Sequence, residues 1–147
     1  MKTLIDLLPS AFLSTVFGVV LGFLGNFIVQ HILYRRSVRI DSFRNMLTEY
    51  TMIVSKYWIG SHESAADKAT AEAEIKVRQM ILMSEFRSLS KKYSAVRRIW
   101  TNDRDQIRAD FLRNATGGSF ESTNWEPDPN RAHAVTRTAS RVLARLP

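Results

Sequence analysis

Residues 7–34 read LLPSAFLSTVFGVVLGFLGNFIVQHILY, a run of 28 residues without Asp, Glu, Lys or Arg. A membrane-spanning helix needs roughly 20 mostly apolar residues, and Ala11 to Val29 supplies them with one strongly polar side chain, Asn26. A cleaved signal peptide has a shorter apolar core and a small-residue cleavage site, and no such site follows before Tyr34. The sequence therefore predicts a retained transmembrane helix, in preference to a signal peptide or a buried core helix.

The charges that border this segment predict its orientation. Lys2 and Asp6 precede it, whereas three arginines follow it, namely Arg35, Arg36 and Arg39. By the positive-inside rule the larger C-terminal part lies in the cytoplasm, and the arginines anchor at lipid headgroups. We therefore expect a single-pass inner-membrane protein, with residues 1–35 as the transmembrane anchor and 36–147 as a cytoplasmic helical domain.

Small and polar side chains recur at every fourth position of the segment. The series continues from Ser10 through Ser14, Gly18, Gly22, Asn26 and Gln30. Residues four apart share one side of a helix, and small side chains there let two helix backbones approach closely. We call Ser14, Gly18, Gly22, Asn26 and Gln30 the small-polar stripe. It predicts a subunit contact or a polar path in the membrane, and hence a homo-oligomer or association with another membrane protein.

The remaining sequence has helical periodicity and no strand-like alternation. Apolar residues spaced 3 and 4 apart run from Ile40 to Tyr57, so the first helix should continue to Ile59. Further helices are predicted over Ala65–Lys92, over Ser94–Asn114 with an interruption at Thr101–Asp103, and over Pro129–Leu146. The fold class is therefore all-α: a long N-terminal transmembrane helix that continues into a cytoplasmic bundle of about four helices.

Net charge gives the clearest indication of partners. The chain carries 21 basic and 14 acidic side chains, a net charge of +7. In the last helix Arg137, Arg141 and Arg145 are four residues apart and should form one basic face. Such a face binds anionic lipid, an acidic protein or nucleic acid. For a membrane-tethered domain the lipid bilayer and an acidic protein partner are favoured, because no aromatic residues interleave with these arginines.

Catalytic chemistry is not indicated. The chain lacks cysteine, and its three histidines are widely separated. It contains no phosphate-binding loop, nucleophile elbow or metalloprotease motif. Glu121, Glu126 and Asp128 in the Ser119–Asp128 loop are explained by capping and solvation more simply than by a divalent ion. We therefore expect no catalytic residue, no cofactor and no metal site, and a non-enzymatic protein.

Two stretches of the sequence together resemble a pattern in small bacterial inner-membrane proteins that have one span and a helical cytoplasmic part. They are residues 115–121, ATGGSFE, and residues 128–132, DPNRA. The layout is also similar to that of single-span accessory effectors of bacterial antiviral systems, which assemble into ring-like membrane oligomers. The Arg-(four to six residues)-His motif of HEPN ribonucleases is absent from the cytoplasmic helices, so the resemblance does not imply ribonuclease activity.

Together these features predict a protein that self-associates in the membrane and perturbs or permeabilises it, in response to a partner, as an antiviral-type effector does. Two alternatives remain open at this stage. One is a membrane-tethered adaptor whose basic face recruits a soluble protein or ribonucleoprotein. The other is a small accessory subunit of a larger membrane complex.

Overall fold

The computed structural model describes residues 10–60, 64–117 and 126–147, and every regular element within these ranges is helical. Five α-helices and one π-helical turn follow one another within the described ranges. They are α1 (Ser10–Ile59), α2 (Ala65–Lys92), α3 (Ser94–Asn102), α4 (Arg104–Arg108), the π-helical turn Ala109–Asn114, and α5 (Pro129–Arg145). The prediction of an all-α fold with a long apolar N-terminal helix is confirmed.

The chain divides into two compact units, Met1–Arg39 and Ile40–Pro147. In the first unit the described residues belong to α1, which is long and apolar enough near the N-terminus to cross a membrane. None of the residues in its most apolar 18-residue window is buried within the protein. Large apolar side chains are therefore displayed to the surroundings; Phe23, for example, is 73% exposed.

The second unit has a continuous hydrophobic core, and the predicted seam of α1 lies in it. The six seam residues are each at most 2% exposed, namely Ile40, Phe43, Leu47, Tyr50, Val54 and Tyr57. From α2 the core receives Ile75, Leu82, Phe86 and Leu89. Phe43 and Phe86 join the two helices, with ring centroids 5.0 Å apart. The spacing of 3 and 4 thus identified the buried side of α1 correctly.

The first helix ends at Ile59, as the sequence predicts. The Gly60 N–H donates to the Lys56 carbonyl at 2.9 Å, which closes the last turn. A Cβ atom at this position would lie 2.5 Å from the same carbonyl oxygen, so only glycine fits without a backbone shift. Helix α2 then begins after Ser64, whose hydroxyl caps it by accepting from the Asp67 N–H. Residues 61–63, including His62, lie outside the described residues.

The predicted third helix is not continuous. It breaks at Asp103, within the predicted interruption, and the residues that follow form α4 and then the π-helical turn. In this turn the Ala115 N–H donates to the Asp110 carbonyl, one residue further back than in an α-helix. A π-helical turn accommodates one extra residue within a helix. Sequence periodicity does not reveal it, because Ile107 and Phe111 are four residues apart, as in an α-helix.

The Phe111 carbonyl accepts two side-chain hydrogen bonds inside the core. Tyr50 Oη of α1 and Gln79 Nε2 of α2 both donate to it, each at 2.6 Å. A buried carbonyl is costly unless it is paired, so these donors stabilise the π-helical turn at the point where it departs from regular winding. The amide of Gln79, a half-buried residue of α2, thus has a hydrogen-bond acceptor in the core.

Stability should fall at alkaline pH because of Tyr50. Burial raises the pKa of Tyr50 above its ordinary value of 10.0, since the ionised phenol cannot be solvated in the core. The stabilising contribution of the neutral phenol is therefore fully present below pH 10 and is lost as pH rises above it. One such group contributes a slope of about 1.4 kcal/mol per pH unit.

We expect Tyr50→Phe to remove this part of the slope above about pH 10, because phenylalanine has no proton to lose. At neutral pH the substitution should cost about 1 kcal/mol, because Gln79 still donates to the Phe111 carbonyl. Urea unfolding of the full chain in detergent, repeated across the alkaline range, measures both effects. Equal slopes for the variant and the parent chain would contradict this assignment.

A buried carboxyl group joins the π-helical turn to α5. Asp110 is 2% exposed and Thr138 is 1% exposed. Asp110 Oδ2 accepts from Gln106 Nε2 at 2.6 Å and from the Thr138 hydroxyl, and Oδ1 accepts from Asn114 Nδ2 at 2.7 Å. Among the described residues no basic side chain pairs with Asp110. Three neutral donors therefore replace the water that this carboxyl group loses on folding.

Candidate functional site: the small-polar stripe and the basic surface

All five residues of the small-polar stripe are exposed, and the stripe winds slowly around α1, because each step of four residues advances by about 40°. A Cβ atom added at Gly18 or Gly22 would meet nothing within 4 Å. The stripe is thus open on the single chain, with room for another backbone to approach. Gln30 Nε2 donates to Asn26 Oδ1 at 3.4 Å, so the two amides contact one another one turn apart.

The three arginines that follow the apolar segment are all in α1. Arg35 and Arg39 are exposed, and Arg36 is half-buried. The exposed guanidinium groups of Arg35 and Arg39 are accessible to phosphate oxygens, which arginine binds with two parallel hydrogen bonds.

The basic face of α5 is only partly available for an external partner. Arg137 and Arg141 are exposed, and among the described residues neither has an ion-pair partner. Arg145 differs, because its Nη1 bonds to Asp103 Oδ2 at the break between α3 and α4. It also lines, with Arg98, a shallow depression of about 270 Å³ between α3 and α5. The described structure therefore gives Arg145 an internal acidic partner that its sequence spacing does not reveal.

Other basic residues are also used within the chain. Arg97 donates to the Ser90 and Lys91 carbonyls at 3.1 and 2.9 Å and so caps the C-terminal end of α2. Arg44 donates to the Leu146 carbonyl at 3.3 Å at the end of α5. Cations at helix C-termini are favourable because the last carbonyl groups carry partial negative charge. Part of the net positive charge therefore stabilises helix ends.

The two parts of the ATGGSFE and DPNRA pattern meet at Trp58, a residue that sequence reasoning did not select. Trp58 Nε1 donates to the Ala115 carbonyl at 2.9 Å, and the Trp58 carbonyl accepts from the Asp128 N–H at 3.0 Å. The Arg131 guanidinium lies 4.9 Å from the indole centroid, held by Asp128 Oδ2 at 2.8 Å. We call these contacts the Trp58 clasp.

Gly117 completes the Trp58 clasp. It has a φ of +66°, and a Cβ atom there would lie 2.9 Å from Trp58 Cη2 and 2.8 Å from Arg131 Nη1. The second half of the pattern also starts α5, since Asp128 Oδ1 accepts from the Asn130 N–H and Pro129 is at the first helical position, as predicted. Gly118 and residues 119–125 of the predicted loop lie outside the described residues. The described part of the pattern thus has a structural role.

No protein-family model matches the chain, and the comparisons with curated proteins and with solved structures find no significant match. Within the described ranges no group of three or more His, Asp or Glu side chains is placed to hold a metal ion. The roles assigned to the small-polar stripe and the basic surface follow from the chemistry of these residues alone.

Proposed function

We propose that this chain is a single-pass inner-membrane protein that self-associates through the small-polar stripe and perturbs or permeabilises the bilayer. Residues 1–35 form the anchor, and residues 36–147 form a cytoplasmic bundle of about four helices. A partner triggers assembly, as in antiviral-type effectors. The proposal rests on one observation. In the apolar part of α1, 18 consecutive residues have no buried member, and the hydrophobic core of the second unit contains none of them.

Solvation explains why this observation favours a membrane. Exposed apolar surface of this extent is unfavourable in water, at about 25 cal/mol per Å², and favourable in hydrocarbon. In hydrocarbon the polar side chains of Asn26 and Gln30 are unfavourable instead, because their amides need hydrogen-bond partners there. A second copy of α1 supplies both those partners and the close backbone contact that Gly18 and Gly22 permit. Arg35, Arg36 and Arg39 then lie at the cytoplasmic headgroups.

Replacing Gly22 with leucine should weaken this association by at least about tenfold, which is about 1.4 kcal/mol. The isobutyl group projects into the space where the second backbone packs, whereas its Cβ atom meets nothing within 4 Å in its own chain. Val20→Leu on the opposite side of α1 is the matched control, and should leave the association unchanged. The mass distribution in native mass spectrometry from detergent measures the effect. An oligomer that persists in Gly22→Leu, or a monomeric parent chain, would contradict the proposal.

Permeabilisation requires a separate measurement. The purified chain in vesicles loaded with a small fluorescent dye should release the dye, and Gly22→Leu should release it at least several-fold more slowly. Release without any dependence on Gly22 would remove the link between assembly and leakage.

The exposed pair Arg137 and Arg141 favours a second function, that of a tethered adaptor for an acidic protein. An adaptor retains activity when residues 11–29 are replaced by an unrelated span, whereas an assembling effector loses it.

A further inference from the structure

Helix α2 carries apolar residues on the side that faces away from its own core. Val77, Met80 and Ile81 are 49%, 65% and 50% exposed. They lie on the opposite side of the helix from Leu82, Phe86 and the other core residues of α2. A surface helix of a globular domain normally presents charged and polar residues there. This side of α2 therefore resembles an interface more than a solvated surface.

An uncharged surface extends along most of the helix. From Ala66 to Ser88 the positions on the outward side carry no charge, namely Ala66, Thr70, Ala73, Val77, Ile81, Ser84 and Ser88, and Lys91 follows on the same side in the last turn. We call these uncharged residues, with Met80, the outward face of α2. It runs for about 33 Å at 1.5 Å per residue. Met46 of α1 borders it, across a shallow depression of about 350 Å³ that Met80, Ile81 and Ser84 also line.

Opposite charges border the two edges of the outward face. At 3.6 residues per turn, Glu74 and Glu85 fall on one edge, and Lys76 and Arg87 fall on the other. Arg78 and Lys92 also lie on the glutamate edge, but the Arg78 Nη1 bonds to Glu49 of α1 at 2.9 Å, and Lys92 is the last residue of α2. Over the central turns, from Glu74 to Arg87, one edge therefore carries the glutamates and the other carries Lys76 and Arg87.

We propose that the outward face of α2 is a docking surface for a second copy of this chain, with the two α2 helices parallel. In a parallel pair related by a two-fold axis, each acidic edge meets the basic edge of the other copy. Glu85 then faces Arg87 of the second copy. In an antiparallel two-fold pair each edge meets its own kind, so that glutamate faces glutamate and the cations face each other.

The small residues of the face suit such a pair. Ala66, Thr70, Ala73, Ser84 and Ser88 allow close approach of the two backbones, and Val77 and Ile81 supply apolar area that is removed from water. An anionic membrane surface fits the face less well, because an amphipathic helix that binds lipid has basic residues along both borders, and Glu74 and Glu85 would be repelled. The proposal rests on the proposed function in one respect: anchoring in one bilayer raises the effective concentration of the copies.

The absence of cysteine from the sequence allows a direct test. The single-cysteine variants Ala73→Cys, Val77→Cys and Ser84→Cys are prepared in the full chain and oxidised mildly in lipid vesicles. In a parallel symmetric pair each residue faces itself, within the Cα separation of about 4.4–6.8 Å that a disulfide allows. We expect disulfide-linked dimers from all three variants. Ala144→Cys, at an exposed position of α5, is the control and should remain largely monomeric.

The pattern of cross-linking decides between arrangements. Dimers from one of the three positions only indicate an antiparallel pair and overturn the proposal, as does a yield no higher than that of Ala144→Cys. Gly22→Cys reports the small-polar stripe in the same assay. Cross-linking at Gly22→Cys without cross-linking in α2 overturns this inference and leaves self-association in the membrane intact. Cross-linking in α2 alone supports this inference and overturns the stripe.

Charge exchange tests the pairing of the edges. Glu85→Lys should lower the dimer yield of Val77→Cys by about fivefold, because lysine then faces Arg87 of the second copy. The double variant Glu85→Lys/Arg87→Glu exchanges the two charges and should restore the yield. A double variant that stays as low as Glu85→Lys overturns the parallel pairing of acidic with basic edges.

Discussion

Replacing Trp58 with alanine is expected to lower the free energy of unfolding by about 4 kcal/mol. The indole is 7% exposed and fills the space between α1 and the residues that precede and start α5. Its loss leaves a cavity, removes the hydrogen bond to the Ala115 carbonyl, and takes away the ring over which the Arg131 guanidinium lies. Urea unfolding of the full chain in detergent, followed by far-ultraviolet circular dichroism, measures the change.

Trp58→Phe separates packing from hydrogen bonding in the Trp58 clasp. Phenylalanine retains most of the buried apolar volume but has no donor for the Ala115 carbonyl, so a loss of about 1–2 kcal/mol is expected. A loss as large as that of the alanine variant would mean that the hydrogen bond carries most of the effect. An alanine variant as stable as the parent chain would show that the clasp does not hold the fold together.

Replacing Asp110 with alanine is expected to cost about 3 kcal/mol. Gln106 Nε2, Asn114 Nδ2 and the Thr138 hydroxyl would all lose their acceptor, and Thr138 is buried, so its hydroxyl has no ready access to water. Asp110→Asn should cost less than alanine, because the amide keeps one oxygen acceptor in place. The same urea unfolding measurement applies.

Thr138→Val is the matched control for the Asp110 network. It removes one donor and keeps the shape of the side chain, so it should cost about 1 kcal/mol. Asp110→Ala combined with Thr138→Val should then cost less than the sum of the single losses, because the second substitution removes a donor that the first has left unpaired. Additive losses would show that the two side chains act independently.

The sequence predicted most of the helices and their buried sides because those features depend on local spacing. The apolar residues from Ile40 to Tyr57 define the buried side of α1, whichever element packs against it. The start of α5 is equally local, because Asp128 and Pro129 act on the first turn of their own helix. The bounds of α1 and α2 agree with the prediction for the same reason.

The features that were missed depend on residues far apart in the chain. Trp58 is connected to Ala115 and Asp128, which lie 57 and 70 positions away, and no spacing rule joins them. The pairing of Arg145 with Asp103 has the same character. The outward face of α2 was missed for another reason: alanine favours a helix on any side, and the exposure of Val77 and Ile81 is known only from the structure.

The additional residue in the π-helical turn changes the direction in which the following side chains and carbonyl groups point. A regular helix would advance each later residue by about 100° per position, so one residue more or less redirects everything beyond it. The extra residue between Ala109 and Asn114 therefore rotates the next turn of the helix. As a result the Ala115 carbonyl faces the Trp58 indole N–H and accepts its hydrogen bond. The number of residues in the π-helical turn therefore fixes both the distance that the chain covers and the direction in which it leaves the turn. We expect this number to be as restricted as the residue types in the turn.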